Sequence, residues 1–281
     1  MTLKGFLRLF STRPYSGTPA GPGGQMALAD HLRELRARLL RSIVVLIAGI
    51  IVAFFFYDEL FALLLDPYNQ AREALGEDVT TQAVLNNVTG PLLLQLKLCG
   101  VAGLIATAPW WLGELWGFIV PGLHRRERIW TRVAVTVAGP MFLLGVAVGY
   151  YVLPKGITVL LSFTPEFVTS LVDFSVYFSF VTRMLLVFGI AFEIPLFVIM
   201  LNLAGVVSGA ALAKHRSWII LGSFVFAAVA TPSTDPFSML MLAIPMVFLF
   251  FISEVIARVV DRRRAKADPF AELSDDEMSP L

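Results

Sequence analysis

Two carboxylates in this chain are ringed by arginines. Glu34 lies in His31-Leu-Arg-Glu-Leu-Arg-Ala-Arg-Leu-Leu-Arg41, with Arg33, Arg36, Arg38 and Arg41 around it. Glu127 stands between Arg126 and Arg128. Helical spacing lets Glu34 pair with Arg38 four residues on, an interaction worth a few tenths of a kcal/mol (~0.2–0.5). The same acids could instead form a receptor for a cationic ligand. Arginine suits such a ligand, because its planar fork reaches a carboxylate through two parallel hydrogen bonds. A third acid, Glu193 in Phe192-Glu-Ile-Pro195, falls near the middle of an apolar run. A carboxylate at the centre of a bilayer costs roughly 2.5–3.5 kcal/mol on insertion scales, so it must be protonated, hydrated or hydrogen-bonded. Pro195 has no N–H to give the carbonyl of Ala191, which opens a polar notch beside the acid. That site is either a packing bond across helices or a working polar group. Glu114, between Trp111 and Trp116, is expected near interfacial water, and Glu254 is expected to be solvated at the membrane interface.

Other chemistries lack their residues. No GxxxxGK[ST] loop and no HExxH are present, so nucleotide hydrolysis and zinc proteolysis have no usual machinery. His31, His124 and His215 all lie outside the apolar runs, and no Ser/His/Asp set is placed at membrane depth. The chain is read as a non-enzyme without a cofactor or a metal. A net charge of +1 argues against nucleic acid as a partner. Cys99, the single cysteine, is read as a packing residue within an apolar stretch.

The elements that must carry these groups belong to a membrane. Of 281 residues, 57% are hydrophobic and 15% charged, and mean hydropathy is +0.76. Soluble domains hold about 25% charged residues. Backbone in hydrocarbon must satisfy its own hydrogen bonds, and no period-two alternation suggests a barrel, so each apolar run is read as a helix. The runs are Leu39–Tyr57, Leu92–Val120, Val133–Leu153, Val176–Leu203, Trp218–Ala230 and Phe237–Val260. Pro109 is expected to kink or tilt the second. The fifth, at about 20 Å, is shorter than a bilayer core of about 30 Å. It and the sixth form either a re-entrant hairpin or two spans, and the length of Phe237–Val260 favours two. Leu28, Leu32, Leu35 and Leu39 mark an amphipathic helix expected to lie on the membrane and feed the first span. Gly113/Gly117 and Gly145/Gly149 could allow close helix approach, including between copies of the chain.

Orientation follows from charge. Eighteen of the 22 Lys and Arg fall in the segment before the first span, the loops after the second and fourth, and the tail. The positive-inside rule then places six spans with both termini in the cytoplasm. Residues 1–25 read as a mobile cytoplasmic extension and not a secretory signal, 26–262 as the membrane domain, and 263–281 as a charged cytoplasmic tail.

The order His31-Leu-Arg-Glu-Leu-Arg36, Pro109, Trp116-Gly-Phe-Ile-Val-Pro121 with Phe118, Glu127, Phe192-Glu-Ile-Pro195, Thr231-Pro232 with Asp235, and Leu242-Ala-Ile-Pro-Met246 resembles the TatC family. That family supplies the core subunit of the twin-arginine protein translocase. The resemblance implies an all-α integral membrane protein: six transmembrane helices in a concave, cup-like bundle with a periplasmic cap and two short final helices. Asp58–Gly90 would supply much of the cap, with Pro67 at the family's proline position. It further implies a receptor in the bacterial cytoplasmic membrane for Arg-Arg signal peptides of folded precursors, with export driven by the proton-motive force. Glu34, Arg36 and Glu127 would bind the peptide, and Glu193 would face the concavity, with Glu114 a second intramembrane acid where many relatives carry Gln. Pro67, Pro109, Phe118, Pro195 and Asp235 would be structural or partner-contact positions. TatA-like and TatB-like single-span subunits, the lipid bilayer and further copies of the chain are the implied partners. A proton-coupled secondary transporter using Glu193 is the alternative.

Overall fold

The computed structural model describes residues 28–75, 81–84, 88–123, 128–164, 170–231 and 236–267. Helix α1, Leu28–Phe55, opens with Leu, Arg, Glu and Ala and meets no glycine before Gly49 and no proline at all. These are strong helix formers. The amphipathic stretch and the first apolar run are therefore one unbroken helix, which corrects the expectation of a separate segment lying flat on the membrane. A turn at Phe56 leads into α2, Tyr57–Leu75, whose buried Leu64, Pro67, Tyr68 and Ala71 form one stripe at helical spacing. Strand β1, Thr81–Val84, follows.

The second apolar run divides into α3, Gly90–Ala106, and α4, Ala108–Leu123, bent by 56°. The break falls at Thr107, two residues ahead of Pro109. A proline clashes with the carbonyl four residues back, so it is tolerated in the first turn of a new helix and not inside an old one. Thr107 Oγ1 donates to Gly103 O at 2.7 Å, and the indole N–H of Trp111 donates to Leu104 O at 3.0 Å. Leu104 O thus takes a side-chain donor at the bend, and Gly103 O accepts the Thr107 hydroxyl beside the Thr107 N–H at 3.0 Å.

Helix α5, Arg128–Leu161, is followed by β2, Ser170–Asp173, and α6, Phe174–Phe192. Asp173 caps α6 by accepting the Ser175 N–H at 2.7 Å. Helix α7, Ile194–Leu203, ends at Gly205, whose φ of 75° is the left-handed turn that glycine adopts most easily. The remaining helices are α8, Gly209–Lys214, α9, Arg216–Ala230, and α10, Pro236–Ala267. At 32 residues α10 is long, which corrects the expectation of two short final helices; only α9, about 22 Å in length, is short. The chain is also not wholly helical: β1 and β2 pair in parallel, Thr81 opposite Ser170 through Val84 opposite Asp173.

Among the described residues, four helical stretches are long and apolar enough to cross a membrane: Leu32–Phe55, Arg132–Leu161, Phe174–Leu203 and Pro236–Arg263. The bent α3–α4 pair makes a fifth if it is one span. The chain divides into two compact units, one of residues 1–62 and 89–140, the other of 63–88 and 141–281.

In the first unit α1 packs on α3 and α4. Small residues set the approach: a Cβ on Gly103 would lie 2.8 Å from the Ile50 backbone nitrogen, and one on Gly49 would lie 2.5 Å from Thr107 Cγ2. Cys99 is fully buried there. In the second unit, Phe142, Phe188, Met184 and Leu242 are nearly or fully buried. A Cβ on Gly145 would meet Phe188 O at 2.5 Å, and one on Gly149 would meet Phe188 Cβ at 2.9 Å. The Gly145/Gly149 spacing therefore seats α6 within the same chain.

Two glycines of α3 give a paired test. Gly103→Ala drives a methyl into the α1 backbone and should destabilise the chain by about 1–3 kcal/mol. Gly100→Ala meets nothing within 4 Å and should be neutral or stabilising by up to ~1 kcal/mol. Thermal unfolding in detergent, followed by tryptophan fluorescence, measures both.

Candidate functional site

On α1, Glu34, Arg38 and Arg41 recur at i, i+4 and i+7, so they share one face, and that face meets α4. Arg38 Nε and Nη2 donate to Glu34 Oε1 at 2.9 and 2.6 Å. Its Nη1 turns the other way and donates to Glu114 Oε2 at 3.1 Å. Arg41 Nη1 meets the other oxygen of Glu114, Oε1, also at 3.1 Å, while its Nε donates to the carbonyl of Ala37 at 3.3 Å. All three nitrogens of Arg38 thus face carboxylates, and both oxygens of Glu114 face arginines. Glu114 is the most enclosed of the four, its side chain 13% exposed against 33% for Glu34. Gly117, one turn beyond Glu114, leaves the space: a Cβ there would sit 2.7 Å from Arg38 Nη1.

The candidate residues divide unevenly over this geometry. Glu34 and Glu114 are joined through Arg38. Arg36 is exposed and two positions from both Glu34 and Arg38, so it lies about 200° round the helix, on the far face. Glu127 and Asp235 lie outside the described residues. Sequence alone does not single out Arg38 and Arg41 for binding, although their spacing of four and seven residues from Glu34 carries the signal.

Glu193 is the hinge of the Phe174–Leu203 span. It ends α6 and precedes α7, with Pro195 in the first turn of the new helix. Its N–H turns back to Ile190 O at 3.0 Å, its carbonyl accepts from Phe197 N at 2.9 Å, and its Oε1 is out of contact with solvent. Pro195 is buried, while Phe118 is half-buried on α4. Pro109 packs against Gly139, where a Cβ would lie 2.5 Å from the proline Cα.

Pro67 has a legible role. Lacking an N–H, it cannot serve the carbonyl of Leu63 four residues back. The Tyr150 hydroxyl does so at 2.9 Å and also reaches Asp66 Oδ2 at 3.1 Å. One residue on, the Tyr177 hydroxyl donates to Leu64 O at 2.8 Å.

Glu254 is buried and not solvated, which corrects the sequence expectation. Arg216 grips it with Nε at 2.7 Å and Nη2 at 2.5 Å, and Arg258 Nη2 lies 2.7 Å from the same Oε1. Nearby, Asp261 accepts from Asn202 Nδ2 and from the Gly209 N–H, each at 2.7 Å, fixing the start of α8. Among the described residues no three His, Cys, Asp or Glu gather as metal ligands.

Residues 30–245 match the family described as Sec-independent protein translocase protein (TatC). The Corynebacterium kroppenstedtii protein of that name is 40% identical over 92% of this chain and 68% of its own length. The one from Frankia casuarinae is 39% identical over 98% of this chain and 78% of its own. Among solved structures, a crystal structure of the twin arginine translocase receptor TatC superposes with a TM-score of 0.71 at 32% identity. It covers 83% of this chain and 100% of that one.

The Pro67–Tyr150 contact makes a double-mutant prediction. Tyr150→Phe removes the donor to Leu63 O and should cost about 1 kcal/mol. In a Pro67→Ala background the restored N–H supplies that carbonyl, so the same change should cost measurably less. Equal costs in both backgrounds would separate the tyrosine from the proline. Thermal unfolding of the four chains gives the coupling.

Proposed function

The chain belongs to the TatC family, and from that premise we propose that it is the signal-peptide receptor and core subunit of a twin-arginine translocase, and not an enzyme. Glu34 and Glu127 hold the consecutive arginines of a signal peptide on a folded precursor, and Arg36 belongs to the same recognition segment. The peptide's apolar stretch then enters the bundle. The observation that carries this reading is Glu34 itself. Its carboxylate is partly exposed, stands on a face lined with arginines, and already forms two hydrogen bonds to a guanidinium. The positive field around such a carboxylate repels unselective cations, while the carboxylate retains the partner that can form the fork.

The wider arrangement is part of the same proposal. Six spans with both termini cytoplasmic follow from the lopsided Lys and Arg count, α9 being the short fifth span and α10 the sixth. Residues 1–25 and 263–281 flank a membrane domain of 26–262 in the bacterial cytoplasmic membrane. The bundle is concave, and α2 with the β1–β2 pair contributes to a periplasmic cap. TatA-like and TatB-like single-span subunits and further copies of the chain complete the complex, and the proton-motive force drives export. Glu193, at a break in its helix, offers a hydratable patch inside the groove for a partner helix. A proton-coupled transporter using Glu193 leaves the acids of the basic face unexplained, and family membership does not favour it.

Photo-crosslinking of a twin-arginine precursor to membranes carrying Glu34→Ala with Glu127→Ala should fall to background, and undiminished crosslinking would remove these acids from the recognition site. Glu193→Gln keeps a hydrogen-bonding group without ionisation and should lower export of a folded precursor. Export at the full rate would show that its charge is dispensable.

A further inference from the structure

The four-residue cluster on α1 and α4 contains its own arginine pair. Two carboxylates, Glu34 and Glu114, are matched by two guanidinium groups, Arg38 and Arg41, so the cluster is electrically balanced before any ligand arrives. Its two halves are held unequally. Glu114 is enclosed and bound at both oxygens by two different arginines. Glu34 is the more exposed, and Arg38 meets it through Oε1. Arg38 presents to Glu34 the chemistry that an arginine of a signal peptide would present.

We propose that Arg38 is an internal occupant of the guanidinium site: it holds Glu34 while no ligand is bound, and an incoming arginine takes Glu34 from it while Arg38 stays anchored on Glu114. This rests on the reading of Glu34 as a signal-peptide ligand and adds two positioning residues, Arg38 and Glu114. No charge is stranded in the exchange. The peptide's guanidinium replaces another guanidinium on Glu34, and the departing Nε and Nη2 of Arg38 turn toward water while Nη1 keeps its carboxylate. Glu114 is therefore required as a carboxylate, because it holds the displaced arginine within reach and prevents it from competing at full strength. The cleft above Gly117 accommodates that anchored end of the side chain.

Competition sets the sign of each effect. An exposed or part-exposed ion pair contributes up to about 1 kcal/mol, so vacating Glu34 should tighten ligand binding by about fivefold. A purely structural staple between α1 and α4 would act the opposite way, since its loss would loosen the site and weaken binding.

The test is equilibrium binding of a fluorescent synthetic signal peptide with an Arg-Arg pair to the full chain in nanodiscs. Five receptors are compared: unchanged, Glu34→Gln, Arg38→Gln, Glu114→Gln, and Arg38→Gln with Glu114→Gln. Arg38→Gln should bind about fivefold more tightly. The double variant carries the same net charge as the unchanged chain and should keep most of that gain, which ties the gain to the vacated carboxylate and not to a more negative surface. Glu114→Gln should bind more weakly, because Arg38 then settles wholly on Glu34. Unchanged or weaker binding by Arg38→Gln, in a receptor that Glu34→Gln disables, would overturn the exchange while leaving the receptor reading intact. Unchanged binding by Glu34→Gln would instead overturn the receptor reading. Should Arg38→Gln fail to fold, Arg38→Lys carries the test. It keeps the charge and loses the fork, so a gain of about twofold supports exchange and any loss overturns it.

Discussion

A carboxylate withdrawn from water must be met by donors, and that requirement organises the polar side chains of this protein. Burial raises the free energy of an ionised group by several kcal/mol unless hydrogen bonds and opposite charge replace its hydration. Glu114 is met by Arg38 and Arg41, Glu254 by Arg216 and Arg258, and Asp261 by Asn202 and the Gly209 N–H. Each set ties separate helices together: α1 to α4 in the first unit, and in the second α9 to α10 and both α7 and α8 to α10. Glu34 shares a guanidinium with a better enclosed acid and keeps more exposure to water. That difference makes one acid a fastening and the other a group that can change partners.

The backbone obeys the same requirement. At one helix bend and beside one proline, side-chain donors collect on main-chain carbonyls. Thr107 and Trp111 do this at the α3–α4 bend, and Tyr150 does it beside Pro67. Pro109 and Pro195 stand in the first turn of a new helix, while Pro67 and Pro245 lie inside unbroken ones. Hydroxyl and indole groups from the same or a neighbouring helix meet carbonyls at such places. Tyr150 and Tyr177 thereby fix α2 by its main chain, an attachment that does not depend on which side chains α2 carries at its surface.

How much of this could be read in advance depended on sequence separation. The apolar runs were legible because twenty residues of Leu, Ile, Val and Phe can only be a buried or lipid-facing helix, and the Glu34–Arg38 pair because four residues make one turn. The Arg38–Glu114 contact joins positions 76 apart, and no periodicity reaches that far. The enclosure of Glu254 is hidden from the sequence for the same reason, since Arg216 lies 38 residues earlier in another helix. The β1–β2 pairing was invisible: four residues such as Thr-Gln-Ala-Val give no alternation to count, and the partner strand is supplied by distant chain. The bend at Pro109 was foreseen in kind but not in place, because a proline's steric conflict lies behind it and ends the preceding helix early. The glycine spacings were legible as sites of close approach, but not that Gly145 and Gly149 receive Phe188 of their own chain, since spacing alone names no partner.

The central claim is that Glu34 exchanges one guanidinium for another. Its most direct measurement is a cryo-electron microscopy structure of the chain with a bound signal peptide carrying an arginine pair. The expected density places a peptide guanidinium within about 3 Å of the Glu34 carboxylate, with Arg38 withdrawn from Glu34 and retained on Glu114. A bound peptide whose arginines lie elsewhere, with the Glu34–Arg38 contact intact, would contradict it.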